Sequence, residues 1–338
     1  MKISHDFDLT GVTTFHIPVK ARIYAEYESI DELRSLLTAP VYAGMSRLHI
    51  GGGSNLLFTE DYDGLVMHSA IREIAIARET ASDVYLKVSA GVNWDSFVEY
   101  CIEHNLYGAE NLSYIPGEAG ASAVQNVGAY GVEAKDLISE VFTIDTATGD
   151  ERIFQAEECD YGYRHSIFKT KDFAGRYIVT DVVYRLSREK HFTLDYGPLK
   201  ELASVDGLTL RDVRNRVIEI RRSKLPEPDR LGSAGSFFKN PVVTIEKYNE
   251  LKAEYPEIPS YPTPDGVKIP AAWLIENTGM KGKSTGGAQV YPRQCLVIVN
   301  NGDATAADVV ALFGEIREKV AAKFGITLSP EVNIIGKL

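Results

Sequence analysis

Cysteine is scarce. Cys101, Cys159 and Cys295 are the three in 338 residues, odd in number, far apart and outside any Cys-x-x-Cys spacing. This argues against a disulfide framework or a zinc site and points to a reducing compartment. Lys/Arg tracts are absent too, and 36 Lys+Arg against 47 Asp+Glu leave a net charge of −11. Nucleic acid is therefore not an expected partner, and an anionic substrate would need a local basic cluster. No run approaches the ~18–20 apolar residues that span a bilayer, so no membrane insertion is expected. The opening residues lack the apolar stretch of a signal peptide, which predicts a cytoplasmic protein. The seven histidines show no metal-ligand spacing, and no metal is expected. There is no G-x-S-x-G elbow and no Ser-His-Asp pattern, which disfavours a nucleophilic hydrolase. Internal repeats and low-complexity tracts are likewise missing.

What is present is ordinary globular composition, 44% apolar and 25% charged, in a chain long enough for two or three domains. Alternation predicts a strand over 21–26. Ser29 with Glu32 reads as a capping box opening a short helix. Strands are predicted at 47–50 and 85–90, a helix over 93–104, and a hairpin over 138–154 turning at Thr148-Gly149-Asp150. Further strands are predicted at 177–184 and 191–196. A basic amphipathic helix over 209–224 runs into Leu225-Pro226-Glu227-Pro228, where a domain boundary is placed. Beyond it, helices are predicted near 244–255 and 269–278 and strands at 295–300 and 331–336. Thr305 and Asp308 cap a helix that buries Val309, Leu312, Phe313, Ile316 and Val320, and Gly325 stops it. Strands outnumber what a regular βαβ series would give, so the fold class is read as α+β.

Two stretches carry most of the functional signal. Gly51-Gly52-Gly53-Ser54-Asn55 follows a strand, as a phosphate loop does, but has neither G-x-G-x-x-G nor Gly-Lys-Ser/Thr spacing. Alone it is as compatible with a plain turn as with a ligand site. The second run, from Ile115-Pro116-Gly117 through Gly120-Ala121-Ser122 and Gln125-Asn126 to Gly128-Ala129-Tyr130-Gly131, holds so little side chain that a packed core gains nothing from it. Bare backbone can instead press on a flat ring or a pyrophosphate. Gln125, Asn126 and Ser122 add neutral polar groups suited to a heterocycle. Arg164, in Gly162-Tyr163-Arg164-His165-Ser166, and the cluster Arg221, Arg222 and Lys224 are the local cations. Solvation is the ordinary reading of Arg164, and the negative end of a helix accounts for the cluster as well as a ligand would. Ser236, in Ala234-Gly235-Ser236-Phe237-Phe238-Lys239-Asn240, sits among aromatics beside a cation. Without a triad, it suits proton donation to a strong carbon base, which is work for a reductase. Glu331 alone reads as a surface carboxylate.

Together these motifs resemble the UDP-N-acetylenolpyruvoylglucosamine reductase family over nearly the whole chain. The matching pieces include the Gly-Gly-Gly-Ser-Asn loop, Ile-Pro-Gly with Gln-Asn-x-Gly-Ala-Tyr-Gly, and Gly-Tyr-Arg-x-Ser. Lys-Leu-Pro-x-Pro, Ala-Gly-Ser-Phe-Phe-Lys-Asn-Pro, Gly-Gly-Ala with Arg-Gln, and Pro-Glu-Val complete the set. Asp195-Tyr196-Gly197-Pro198-Leu199 is similar to the longer subclass, in which such a tyrosine folds over the sugar nucleotide. The resemblance implies a vanillyl-alcohol-oxidase-type FAD-binding fold of two α+β subdomains plus a separate substrate domain. The expected layout is 1–66 with 323–338, then 67–224, then 225–322.

It also implies bound FAD reduced by NADPH, and a small-molecule substrate, the enolpyruvyl sugar nucleotide, that accepts a hydride at its vinyl C3. The glycine-rich residues 51–55, Ile115, Pro116, Gly117, Gly120, Ala121, Ser122, Gln125, Asn126, Gly128, Ala129, Tyr130 and Arg221 match cofactor-binding positions. Ser236 matches the proton donor to C2. Arg164 and Glu331 match groups that hold the enolpyruvyl carboxylate and stabilise the charge developing there. Tyr196, Lys224, Asn240 and Gln294 match substrate contacts. A monomer is the expected state. Thr13, His16, Ala123, His165 and Asn333 depart from the family pattern without removing a proposed catalytic group. Two rivals are a same-fold FAD oxidase acting on a sugar or alcohol with oxygen, and a non-catalytic sugar-nucleotide binding protein.

Overall fold

Gly53 shows how tightly the backbone is folded on itself: a Cβ there would lie 2.1 Å from the Val12 carbonyl oxygen, and its φ is +61°. Only glycine satisfies both conditions. The computed structural model describes residues 1–337. They divide into two compact units, the first comprising Met1–Phe7, Ala21–Gly52 and Tyr62–Arg221, the second Asp8–Lys20, Gly53–Asp61 and the chain from Arg222 onward.

In the first unit, a four-stranded sheet runs in the order Lys2–Asp8, Lys20–Tyr27, Tyr62–Ser69, Ser46–Ile50. Tyr62–Ser69 pairs in parallel with strands on both sides and is buried from Gly64 to Ser69, as expected for a strand with both edges covered. The helix Ile30–Thr38 packs Leu33, Leu36 and Leu37 onto this sheet's core. Ser29 caps it by accepting from the Glu32 N–H at 3.2 Å, but the capping box read from the sequence is not reciprocated: Glu32 accepts instead from the Glu28 N–H at 2.7 Å. The shift also leaves the other Glu32 oxygen for the Met1 ammonium.

The second sheet of this unit has five antiparallel strands, with Tyr177–Ser187 at its centre between Ile138–Asp145 and Asp83–Ser89. The predicted hairpin is the pair Ile138–Asp145 and Glu151–Gln155. Helices Trp94–Glu103 and Ala119–Gln125 contribute to the same core, in which the Trp94, Phe97 and Tyr184 rings meet. A Cβ on Gly120 would lie 2.6 Å from that of Ala90, so this helix sits at glycine distance from the backbone beside it. The strand predicted at 191–196 does not form. That segment is held by side-chain bonds rather than a ladder, with the Thr193 carbonyl accepting from Asn111 Nδ2 at 2.7 Å.

In the second unit, Gly232–Ser236 opens a four-stranded antiparallel sheet whose neighbour is Val297–Asn300. The helix Ala306–Phe324 buries Val309, Leu312, Phe313, Ile316 and Val320, with Thr305 and Asp308 in a full capping box and Gly325 in the left-handed region at its end. Leu56–Phe58 pairs in parallel with Asn333–Ile335. The helices, with sheets both mixed and antiparallel, are those of an α+β protein, as the sequence predicts.

Candidate active site

In the first unit the two side-chain-poor runs meet. A Cβ on Gly52 would lie 3.4 Å from the Gly117 Cα, and one on Gly51 would lie 3.3 Å from both the Ala121 Cβ and Glu118 Oε2. Gly117 has φ +125°, a conformation that favours glycine. Gly51, Gly52, Ile115, Gly117, Ala121, Gln125, Gly128, Ala129 and Tyr130 are all partly open to solvent, and Pro116 is exposed. The result is a strip of nearly bare backbone fit to receive a flat ring and a diphosphate, so these residues suit a dinucleotide cofactor. Tyr130 (φ +50°) and Gly131 (φ +86°) turn a tight hairpin between Gly128–Ala129 and Val132–Glu133 at one end of the run.

Other members of the run face inward. Gly120 is buried against Ala90. The Ser122 hydroxyl bonds the Ala119 carbonyl at 2.8 Å and the Tyr184 hydroxyl at 2.7 Å. The Asn126 amide donates to Glu133 and to the Gly162 carbonyl, and its oxygen accepts from the Lys135 N–H. These two side chains brace the run, while those of Gln125 and Tyr130 are partly open to solvent.

Arg164 is held against the same run. Its backbone is left-handed, φ +54°, in the turn closed by the His165 N–H on the Gly162 carbonyl. Its guanidinium donates to the Gly128 carbonyl at 3.2 Å and the Asn126 carbonyl at 3.4 Å. Lys169 reaches both elements, donating to Gln125 Oε1 at 2.7 Å and to the Arg164 carbonyl at 3.2 Å. His165, the departure beside Arg164, faces Asp160 at 3.4 Å.

Arg221 Nε donates to the Tyr114 carbonyl at 2.9 Å, and burial lowers its pKa while Tyr130, Asp95 and Tyr114 act to raise it. A desolvated guanidinium of this kind is ready to pair with an anion. Tyr114, at φ +61°, immediately precedes Ile115 and is pinned from both sides, because its N–H donates to Asp95 Oδ1 at 2.5 Å. Arg214 in turn grips Asp95 with two bonds of 2.6 and 2.8 Å. Burial alone would raise the Asp95 carboxyl, but the Arg214 and Tyr114 donors outweigh it and hold that carboxyl below the usual range. Tyr196 is 46% exposed and packs edge-on to Tyr130 with centroids 6.4 Å apart.

In the second unit, a bulge between Ser233 and Ser236 contains Gly235 at φ +70° and re-aims the half-buried Ser236. Glu331 is also half-buried, and its N–H donates to the Phe237 carbonyl at 2.8 Å. Asn55 Nδ2 donates to the Glu331 carbonyl at 3.2 Å, so the last residue of the glycine loop holds the backbone at Glu331. That loop is divided: Gly51 and Gly52 belong to the first unit, Gly53, Ser54 and Asn55 to the second. Asn240 Oδ1 accepts from the Ala271 N–H at 2.9 Å at the start of the helix Ala271–Asn277, and Gln294 Oε1 accepts from the Leu296 N–H at 3.3 Å. Lys224 is exposed at the end of the helix Leu210–Lys224.

Sequence reasoning missed Lys169, Asn111, Tyr114 and the Asp95–Arg214 pair, because each acts through partners distant in the chain. Glu118 had a visible signal, since a carboxylate is out of place inside a run with so little side chain. Among the described residues, no cluster of three or more His, Cys, Asp or Glu could hold a metal ion.

Residues 21–154 match the family model of an FAD binding domain, and residues 227–335 that of the UDP-N-acetylenolpyruvoylglucosamine reductase C-terminal domain. The chain is 50% identical over 336 residues to the UDP-N-acetylenolpyruvoylglucosamine reductase of Bacteroides fragilis, covering 97% of this chain and 99% of that protein. To the enzyme of the same name from Porphyromonas gingivalis it is 46% identical over 338 residues, covering 99% and 100%. The crystal structure of UDP-N-acetylenolpyruvylglucosamine reductase from Thermus caldophilus shares the fold, with a TM-score of 0.68 at 22% identity over 99% of this chain and 98% of that one.

Proposed function

This chain belongs to the UDP-N-acetylenolpyruvoylglucosamine reductase family, and we propose that Arg164, Ser236 and Glu331 carry its reaction. The protein is an FAD-dependent oxidoreductase of the vanillyl-alcohol-oxidase-type fold. It reduces UDP-N-acetylglucosamine enolpyruvate to UDP-N-acetylmuramate with NADPH, a step in making peptidoglycan precursors. The observation that carries the site reading is the apposition of Gly51 and Gly52 to Gly117 and Ala121 within the stretch matching the FAD-binding model. A same-fold oxidase is not favoured, since 227–335 match the reductase's own C-terminal domain.

Bound FAD, once reduced by NADPH, supplies the hydride that adds to the vinyl C3 of the substrate. Negative charge then develops at C2 and spreads into the neighbouring carboxylate. Arg164 holds that carboxylate, and its fixed guanidinium contributes about 3 kcal/mol, comparable to one preorganised oxyanion donor. Ser236 delivers a proton to C2, completing the saturated product. Glu331 works with Arg164 at the carboxylate where that charge develops. Arg221 serves cofactor and substrate, while Tyr196, Lys224, Asn240 and Gln294 bind the sugar nucleotide.

We also propose a functional layout of 1–66 with 323–338, 67–224 and 225–322. The pairing of Leu56–Phe58 with Asn333–Ile335 supports the return of the C-terminal segment. A cytoplasmic monomer is part of the same reading. Among the described residues, no helix is long and apolar enough to cross a membrane. Visible absorption of the purified protein tests the assignment: a flavin band is expected, bleached by NADPH and restored by the enolpyruvyl substrate under anaerobic conditions. Colourless protein that takes up no FAD, or a bleached band that only oxygen restores, would contradict it.

A further inference from the structure

Directly behind the glycine turns lies a titratable triad that the mechanism leaves unused. Strand register sets His68 beside Glu26, and the turn after Gly117 brings Glu118 to the opposite side of the ring. His68 Nδ1 is 3.3 Å from Glu26 Oε2, and Nε2 is 2.9 Å from Glu118 Oε1. His68 and Glu118 are 8% and 9% exposed. An ionised carboxylate only accepts hydrogen bonds, and a neutral imidazole carries a single N–H. Two carboxylates facing both ring nitrogens therefore select the imidazolium.

The surroundings agree. Burial by itself favours the neutral ring, but the hydrogen bonds and charges of Glu118 and Glu26 outweigh it and raise the His68 pKa above its ordinary value. His49, on the adjacent strand, is pushed down to about 3 by burial and by the charge of His68, and it bonds the Tyr27 hydroxyl at 2.9 Å. Tyr24 and Tyr27 also feel Glu118, and burial raises both phenols, Tyr24 to about 12. His49 and the two tyrosines are thus uncharged near neutrality, and the charge of the cluster is set by His68 and its carboxylates.

The triad reaches the cradle through Glu118. A Cβ on Gly51 would lie 3.3 Å from Glu118 Oε2, and one on Gly52 would lie 3.6 Å from Glu118 Cγ. A bare carboxylate in that place repels an anionic dinucleotide, whereas one paired to an imidazolium does not. We propose that His68 is a positioning residue for FAD, its imidazolium tying Glu118 to Glu26 and offsetting one of the two negative charges behind the glycine turns. The role rests on the FAD reading and adds to it a proton. Cofactor affinity falls as pH rises through the His68 pKa, with a limiting slope of about tenfold in Kd per pH unit.

The test is the Kd of apoprotein, prepared from holoenzyme, for FAD, read by flavin fluorescence between about pH 6 and 9. Wild-type Kd is expected to climb with pH. His68→Gln is expected to bind more weakly and without that inflection. In Glu118→Gln the inflection is expected at lower pH, because one of the two carboxylates holding the proton is gone, a shift that a purely structural role does not produce. Nitrogen NMR of histidine-labelled wild-type apoprotein reads the same ring without substitution, and both ring nitrogens are expected to be protonated near about pH 6.5. A constant wild-type Kd, an unchanged inflection in His68→Gln, or a neutral His68 ring in the spectrum would overturn the role while leaving FAD binding intact. Wild-type protein that binds no FAD at any pH would overturn the cofactor reading and this role with it.

Discussion

The Glu331 N–H donates to the Phe237 carbonyl at 2.8 Å, fixing Glu331 to the backbone next to Ser236. The Lys239 N–H on the Ser329 carbonyl and a bridge between Phe238 and Pro330 extend the same short pairing. Two proposed catalytic groups from distant parts of the chain therefore share one piece of backbone. Their separation is set by main-chain bonds that survive side-chain substitution.

Substitution at Glu331 should consequently separate chemistry from folding. Glu331→Gln keeps the backbone pairing and a polar side chain, whereas Glu331→Leu keeps only the pairing. Both are expected to melt within a few degrees of wild type, because neither disturbs the main chain. Turnover should fall in both, and further in Glu331→Leu, by about 10²–10³-fold if one polar contact at the developing charge is lost. Steady-state rates beside thermal midpoints check this.

For Arg164, the decisive change is to lysine. Lysine retains the charge but not the planar fork that now rests on the Gly128 and Asn126 carbonyls. The expected outcome is a lower kcat as well as a higher KM. A change confined to KM would assign Arg164 to ground-state binding alone.

Gly53→Ala tests the backbone rather than the chemistry. The new methyl would meet the Val12 carbonyl oxygen at 2.1 Å and the Thr13 Cα at 2.8 Å, at a φ of +61°. Strain of this kind costs about 1–3 kcal/mol even before the clash is relieved. A lowered thermal midpoint is expected, read by circular dichroism.

The Asp95–Arg214 pair makes a signed prediction about pH. Asp95 has a folded pKa below its unfolded value near ~3.9, so its contribution is fully present above that value and fades as pH falls through the folded pKa. Asp95→Asn should destabilise near neutrality by about 1–3 kcal/mol, less than the ~3–5 of an isolated buried pair because Glu99 still faces Arg214. The gap to wild type should close in strong acid. Denaturant unfolding at several pH values measures it.

What could be read from the chain was local in origin. The Thr305–Asp308 box, the Gly325 stop and the Thr148-Gly149-Asp150 turn depend on neighbours in sequence, and all three form. The two glycine-rich runs were legible because missing side chains leave a signature without any partner. The protein partners of Ser122 and Asn126 were not, since a polar side chain in such a run looks the same whatever it bonds, here Tyr184, Glu133 and Lys135. The segment 191–196 misled by its alternation, because nothing local reveals that Asn111 holds it in place of a partner strand. His68 looked inert for the same reason: its two carboxylates arrive from Glu26 and Glu118, one by register and one by a loop.

Anaerobic half-reactions of Ser236→Ala probe the proposed division of labour most directly. NADPH should bleach the flavin of this variant at a rate close to wild type, since Ser236 takes no part in that step. Recovery of the flavin band on adding the enolpyruvyl substrate should slow by about 10²–10⁴-fold, the usual worth of a positioned general acid. Recovery at the wild-type rate would remove Ser236 from the chemistry.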